Sequence, residues 1–260
     1  MKKIFLLLVL SVLFVSCKTM DIDQVSALNK VAIIGISVSD IDDSQISQKG
    51  NIVTDMLKKS ATAMTSDEDI WDGNSYTKVV HDSIFRQKLP YRLAKEKSVL
   101  NSKAYRSIKS ITSKEDSGMF AMTDLHNYPG YKVILNDNIM ANSSVQASNI
   151  AKELNLDGTL DIKVSPMLVA HSRGFVENVV SIVSPVDLES IYVAANIQFD
   201  LYNKEGKKIS TYTANGVSKT ELKAISGIYN AKDVKSRLLD SINIAFIDYM
   251  NFYKEKGIMN

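Results

Sequence analysis

The side chains that most often carry out chemistry are scarce in this sequence and widely spaced. The chain has one cysteine, Cys17, and three histidines, which are His81, His126 and His171. Metal sites built on one helix or turn use short ligand spacings such as i and i+4, and no two of these histidines have such a spacing. We therefore expect solvated or capping histidines, no metal site and no bound cofactor.

Nucleophilic catalysis would need a serine that is activated by a nearby base. The sequence contains no Gly-x-Ser-x-Gly motif, and no Ser-x-x-Lys motif accompanied by Ser-Asp-Asn and Lys-Thr-Gly. Catalytic triads are defined by geometry rather than by order along the chain, so His171 with Ser172 is the first candidate for a hydrolase. The expectation is nevertheless a protein without catalytic residues.

Two further patterns that can hold ligands are incomplete. Gly35 stands alone after an apolar run, so no glycine-rich phosphate loop is formed there. Acidic runs occur at 42–43 and 67–69, but neither has the regularly alternating oxygen ligands of a calcium loop. Such runs are typical of solvated turns or helix starts.

Residues 1–16 have the pattern of a signal peptide. Lys2 and Lys3 form a short positive region, and residues 4–15 are almost wholly apolar. This apolar core fits the ~7–15 residues that are usual in signal peptides, and it is shorter than the ~20 residues that span a membrane. We predict that residues 1–16 are removed on export.

Residues 14–17, with the sequence Phe-Val-Ser-Cys, resemble the lipobox of bacterial lipoproteins. In that motif a small residue precedes a cysteine that receives diacylglycerol, although Phe14 stands where leucine is usual. Acyl chains on Cys17 would hold the protein to a membrane, since each buried methylene contributes about 0.8 kcal/mol. Lys18 is similar to the residues that direct lipoproteins to the outer membrane. The expected location is the cell envelope, lipid-anchored at the outer membrane and facing the periplasm.

The net charge argues against nucleic acid as a partner. The whole chain carries +2, and Lys2 and Lys3 would leave with the signal peptide, so the mature protein is close to neutral. Binding to phosphate backbones or to anionic lipid headgroups needs a cluster of basic side chains. A single cysteine also excludes an intramolecular disulfide, so the fold must depend on its hydrophobic core.

The hydrophobic pattern predicts an α/β (α+β) fold, with a mixed β-sheet packed by helices and a long carboxy-terminal helix. The apolar run at 31–38 indicates a buried strand, and the alternation at 191–202 indicates a strand with one strongly buried face. A turn at 203–206, with Gly206 at positive φ, would lead to a returning strand at 208–217. The inner stripe of the last helix is predicted at Val234, Leu238, Ile242, Ala245, Tyr249 and Phe252.

The remaining pattern predicts one domain behind a short tether. Residues 17–29 are expected to form a lipidated tether, and 30–260 a single α/β domain with a helical insertion at 66–128. Further helices are predicted at 44–64, 74–87, 96–108 and 143–154. Further strands are predicted at 91–93, 131–135 and 159–169.

Residues 174–190 form a long apolar connection between two predicted strands. One interpretation is a strand or short helix packed on the domain. The other is a segment that contacts a membrane or a partner. Its apolar side chains, which would make that contact, are Phe175, Val176, Val179, Val180, Ile182 and Val183.

Three parts of the sequence together resemble a family of envelope α/β domains. They are the opening strand at 30–37, a helix end that runs into a strand at 151–164, and the hairpin at 196–210 with the helix after it. The family includes the curli-secretion channel lipoprotein, outer-membrane activators of cell-wall synthases and the amino-terminal domain of the Tol–Pal translocation protein. The resemblance implies a non-catalytic domain that binds partners or forms oligomers.

These observations lead to three hypotheses for function. The first is a non-enzymatic envelope lipoprotein that is anchored through Cys17 and binds a protein partner or the cell wall, or associates with itself. The second is an oligomeric channel or membrane-inserting lipoprotein that uses residues 174–190. The third is an envelope hydrolase built around His171.

Overall fold

The computed structural model describes residues 19–42, 72–108, 125–132, 143–171, 190–222 and 231–259. In these ranges the predicted α/β class is confirmed, because helices pack on a mixed β-sheet and the last helix is long. The chain enters the sheet at its first described residues and ends in that last helix.

The sheet contains seven strands in the described residues. They are β1 (Thr19–Met20), β2 (Lys30–Ser39), β3 (Arg92–Leu93), β4 (Leu125–Asn127), β5 (Gly158–His171), β6 (Ser190–Asn203) and β7 (Lys208–Val217). Their order is β1-β7-β6-β5-β2-β3, and β4 pairs with the carboxyl end of β2. Strand β2 runs parallel to β3 and β5, and the other neighbouring strands are antiparallel.

Helices cover both faces of the sheet. They are α1 (Ile22–Ser26), a 3-10 helix (Gly73–Tyr76), α2 (Thr77–Arg86), α3 (Glu96–Leu100), α4 (Lys103–Arg106), α5 (Ser143–Glu153) and α6 (Ala231–Glu255). Side chains of α2 and α6 share the larger apolar core with β2, β5, β6 and β7, whereas α3, α4 and α5 form a smaller core on the opposite face. Cover on both faces explains why β2 is apolar along nearly its whole length.

Helix α6 packs along one face of the sheet, and all six side chains of its predicted stripe are buried. The rings of Phe199 on β6 and Tyr249 on α6 stack with centroids 3.9 Å apart. Gly257, with a φ of 71°, follows the end of the helix as predicted. The predicted apolar stripe of α6 therefore packs on the buried face of β6.

Strands β5, β6 and β7 form a continuous antiparallel unit, as predicted. Gly206 has a φ of 84° in the turn between β6 and β7. Strands β5 and β6 pair without a register shift from Gly158 opposite Asn203 to His171 opposite Ser190. The chain between them therefore leaves and returns at neighbouring points at one end of the sheet.

The amino-terminal segment differs from the predicted tether. Thr19 and Met20 pair with Thr211 and Ser210 at the edge of β7, and Val25 of α1 is buried. From its first described residue, this part of the segment is attached to the sheet. A two-residue strand carries no period of alternation, so its pairing could not be recognised from the sequence.

The region 66–128 also differs from a purely helical insertion. Its described residues contain the predicted helix near 74–87 and the predicted strand near 91–93, but the helix expected at 96–108 is divided into α3 and α4. Strands β3 and β4 pair with β2, so this region belongs to the main sheet. Tyr131 and Lys132, expected to begin a strand, lie outside any strand.

Several predictions fall outside the described residues. They are the signal peptide at 1–16, the lipidation site Cys17, the helix at 44–64, and the apolar side chains Phe175, Val176, Val179, Val180, Ile182 and Val183. Among the helices in the described ranges, none has the length and apolar character needed to cross a membrane.

Candidate functional site

Three side chains that can bind a cation meet at the carboxyl end of β2. Asp40 directly follows this strand, Asp72 precedes the 3-10 helix, and His126 lies on β4, where it is paired opposite Val38. One ligand atom from each side chain lies within 4.8 Å of the others. In an α/β sheet, this carboxyl edge of parallel strands is where ligands commonly bind.

The distances within this cluster, which we call the Asp40 cluster, are short. The Nε2 atom of His126 is 2.8 Å from Oδ1 of Asp40 and 3.5 Å from Oδ1 of Asp72. The backbone N–H groups of Gly73 and Asn74 donate to Asp40 and Asp72 respectively, each over 2.8 Å. Both carboxylates are therefore fixed by backbone donors while their side chains stay partly exposed.

Close packing at Gly73 holds the 3-10 helix against β2 and β4. A Cβ atom at this position would lie 2.4 Å from the backbone oxygen of Ser39 and 2.8 Å from the His126 ring. A larger residue would push the helix, and Asp72 with it, away from the histidine. The geometry of the cluster thus depends on glycine at this position.

His81 also lies between two carboxylates, but in a different arrangement. Its Nδ1 atom is 3.1 Å from Asp82 and its Nε2 atom is 2.9 Å from Glu96, so the two acids face opposite sides of the ring. The ring stacks on Tyr128 with centroids 3.8 Å apart. This side chain links α2 to α3, and its two acids cannot share one cation with the same ring nitrogen.

A second group of charges, which we call the Asp200 cluster, is buried on the sheet face opposite α6. Asp161 on β5 and Asp200 on β6 are directly opposite each other and almost fully buried. Lys163 lies 3.3 Å from Asp161, and Lys208 lies 3.5 Å from Asp200. Like charges opposite each other in a sheet repel, so the two lysines offset an unfavourable pairing.

The two aspartates differ in the interactions that stabilise their carboxylates. Asp200 accepts hydrogen bonds from Thr211 and Gln198, both over 2.8 Å. Burial raises the pKa of Asp161 above its ordinary value, and Lys163 acts in the opposite direction. Asp161 is also in tight contact with Gly35, where an added Cβ would lie 2.0 Å from its Oδ1 atom. Ionised Asp161 therefore weakens the folded state.

Reasoning from the sequence did not find either cluster. His126 has no short spacing to Asp40 or Asp72, and the alternation at 191–202 does not distinguish Asp200 from the other polar residues of its strand. Asp200 is nevertheless almost fully buried. His171 ends β5, and the neighbouring Ser172 lies outside the described ranges, as does Cys17.

Comparison with known proteins does not assign the chain to a family. No protein-family model matches the sequence, and no curated protein matches it either.

Proposed function

We propose that this protein is a lipid-anchored lipoprotein of the bacterial envelope, without catalytic activity, whose α/β domain binds a protein partner or a cell-wall component. The signal-peptide pattern at 1–16 and the lipobox around Cys17 support the anchor. The resemblance to envelope α/β domains supports the binding role, together with the mixed sheet and the long α6. Anchoring is proposed at the outer membrane, with the domain facing the periplasm.

The observation that carries this proposal is the attachment of Thr19, two residues after Cys17, to the sheet. Strand β1 begins at Thr19 and is paired with the edge of β7. Two extended residues span about 7 Å, so acyl chains on Cys17 would hold this edge of the sheet next to the bilayer. The anchor would then restrict which side of the domain can face a partner.

Further contacts attach the segment after β1 to the sheet. The backbone N–H of Asp21 donates to Ile209 over 2.8 Å, and the Asn203 amide donates to Gln24 over 2.7 Å. Ile22, on α1 beside this attachment, is 43% exposed. An apolar side chain this close to the proposed anchor is well placed to contact lipid.

Replacement of the cysteine tests the proposal directly. We expect Cys17→Ser to abolish acyl labelling and to move the protein out of the membrane fraction, whereas Ser16→Ala, which keeps a small residue before the cysteine, should retain both. Wild-type protein extracted in detergent should also recover a stoichiometric envelope partner. Membrane retention of Cys17→Ser together with unlabelled wild type would refute the anchor, and repeated recovery of no partner would refute the binding role.

A second candidate function is a membrane-inserting or channel-forming lipoprotein that uses residues 174–190. It is favoured by the unbroken pairing of β5 and β6 up to His171 and Ser190, since this pairing delivers the apolar connection at one end of the sheet. Insertion of these apolar side chains into lipid would give the protein a second contact with the membrane.

Liposome binding by the Cys17→Ser protein separates this candidate from the first. If residues 174–190 insert, the protein binds liposomes without its anchor and Val180→Glu abolishes the binding, because a charged side chain in lipid costs about 2–4 kcal/mol. Val217→Glu is the matched control, since Val217 is 41% exposed on β7. Absence of binding, or binding that Val180→Glu leaves unchanged, would exclude insertion through this segment.

A further inference from the structure

The Asp40 cluster has the composition and geometry of a site for a divalent transition-metal ion. It contains one imidazole nitrogen and two carboxylates, supplied by three separate parts of the chain. Imidazole with carboxylates suits Zn²⁺ and similar ions, whereas Mg²⁺ and Ca²⁺ prefer ligands that are all oxygen. The two carboxylates face the same ring nitrogen of His126, as chelation requires.

The separations between ligand atoms agree with this assignment. Metal–ligand distances of 2.0–2.1 Å in a tetrahedral site place the ligand atoms about 3.3 Å from one another. The Nε2 atom of His126 is 2.8 Å from one carboxylate oxygen and 3.5 Å from the other. These two separations are within about half an ångström of that value, and the third, between the two carboxylates, is at most 4.8 Å.

The surroundings fix the carboxylates without closing the site. The Gly73 and Asn74 N–H groups orient the two acids in the way that outer-shell donors orient metal ligands. Asp40 and Asp72 are 46% and 38% exposed at their side chains, so a fourth ligand can reach the ion from solvent. Three protein ligands with one open position are typical of zinc sites that bind water or another molecule.

We propose that Asp40, Asp72 and His126 bind one Zn²⁺ ion and leave one coordination position open to solvent. The ion would connect the end of β2, the start of the 3-10 helix and β4, which are brought together by tertiary structure alone. This inference does not depend on the lipid anchor or on a partner.

Calorimetric titration of the full mature chain with ZnCl₂ tests the proposal. The protein is tag-free and carries Cys17→Ser, so that no free thiol competes for zinc. We expect one Zn²⁺ per chain, with binding at least about tenfold weaker in Asp40→Asn and in His126→Gln. His81→Gln is the matched control, because His81 also lies between two carboxylates but cannot chelate with them, and it should bind zinc like the parent.

A second measurement guards against variants that fail to fold. Circular dichroism shows whether each variant is folded, and X-ray absorption of the zinc-loaded parent protein reports the ligand atoms directly. One nitrogen from imidazole with oxygen ligands supports the proposal. No stoichiometric zinc, a shell without imidazole, or affinity unchanged in folded Asp40→Asn would overturn it.

Discussion

The protein is expected to lose most of its stability as the pH rises above about 10, because three tyrosine hydroxyl groups are buried together in the larger core. Tyr249 on α6 donates to Tyr253 over 2.9 Å, and the hydroxyl groups of Tyr249 and Tyr91 are 3.2 Å apart. All three side chains are buried. A phenolate formed there would lack the water that stabilises it in an unfolded chain.

Burial is the main cause of a raised pKa at each of these tyrosines. It raises the pKa of Tyr253 to about 12, and it raises the pKa of Tyr91 and Tyr249 well above the ordinary value of 10. The unfolded chain releases these protons near pH 10, while the folded protein keeps them. The stability that these protonated tyrosines contribute is therefore fully present below pH 10. It is lost as the pH rises through their pKa values in the folded state. Tyr253 alone would account for roughly 2 kcal/mol at pH 12.

Replacement of one phenol tests this coupling. Tyr253→Phe should cost about 1 kcal/mol at pH 7, because Tyr249 loses its hydrogen-bond acceptor, but its stability should fall less steeply above pH 10. Urea unfolding followed by circular dichroism between pH 7 and 11.5 provides the measurement. Tyr192→Phe, at a half-buried position on β6, removes a phenol outside the buried group and serves as the control. Parallel pH profiles for Tyr253→Phe and wild type would contradict the prediction.

The two facing aspartates of the Asp200 cluster are expected to respond to the same substitution in opposite directions. Both oxygens of Asp200 accept hydrogen bonds, from Thr211 and Gln198, and Lys208 adds an ion pair. In Asp200→Asn the amide can accept at only one of these positions, and the ion pair between residue 200 and Lys208 is lost. We expect the free energy of unfolding to fall by about 3 kcal/mol, near the lower end for broken buried pairs, because Lys208 remains partly exposed.

Asp161→Asn should instead raise the free energy of unfolding at pH 7. Because burial raises the pKa of Asp161, the folded state holds this proton more tightly than the unfolded chain does, and the group therefore lowers the stability of the fold at pH 7. Because this pKa is raised, the unfavourable contribution is complete above the folded-state pKa. It decreases as the pH falls, and the advantage of Asp161→Asn should disappear near pH 4.

Urea unfolding at pH 7 and near pH 4 measures both effects on matched proteins. The predicted signature is a loss of stability for Asp200→Asn and a gain for Asp161→Asn at pH 7. If Asp161→Asn destabilises the fold as much as Asp200→Asn, then Lys163 stabilises the carboxylate more than burial disfavours it. Buried acids that weaken a fold are common at functional sites, so a gain of stability in Asp161→Asn would also mark Asp161 as a candidate functional residue.

The longest elements could be predicted because their own residues carry the signal. Apolar residues alternate along β6 and recur at helical spacing along α6, and Gly206 marks the turn between β6 and β7. Each pattern extends over several turns or several strand residues, so burial of one face requires one kind of structure. The fold class and the main core were therefore predictable.

Shorter elements could not be predicted in the same way. Strands β1 and β4 have two and three residues, and they exist because a longer strand offers backbone groups for pairing. The surroundings of Asp200 likewise depend on residues of the neighbouring strands, among them Thr211 and Lys208. The pairing partner of a strand is not encoded near the residues concerned.

The sequence by itself determined the central strands and the last helix, and it contains the proposed export signal and the proposed lipidation site at Cys17. Only the tertiary structure brought Asp40, Asp72 and His126 within 4.8 Å of one another. The physical reason is that a short strand pairing and a close contact at Gly73 join parts of the chain that are far apart in sequence. Local spacing can reveal ligands on one helix or turn, but it carries no signal for ligands that meet through the fold.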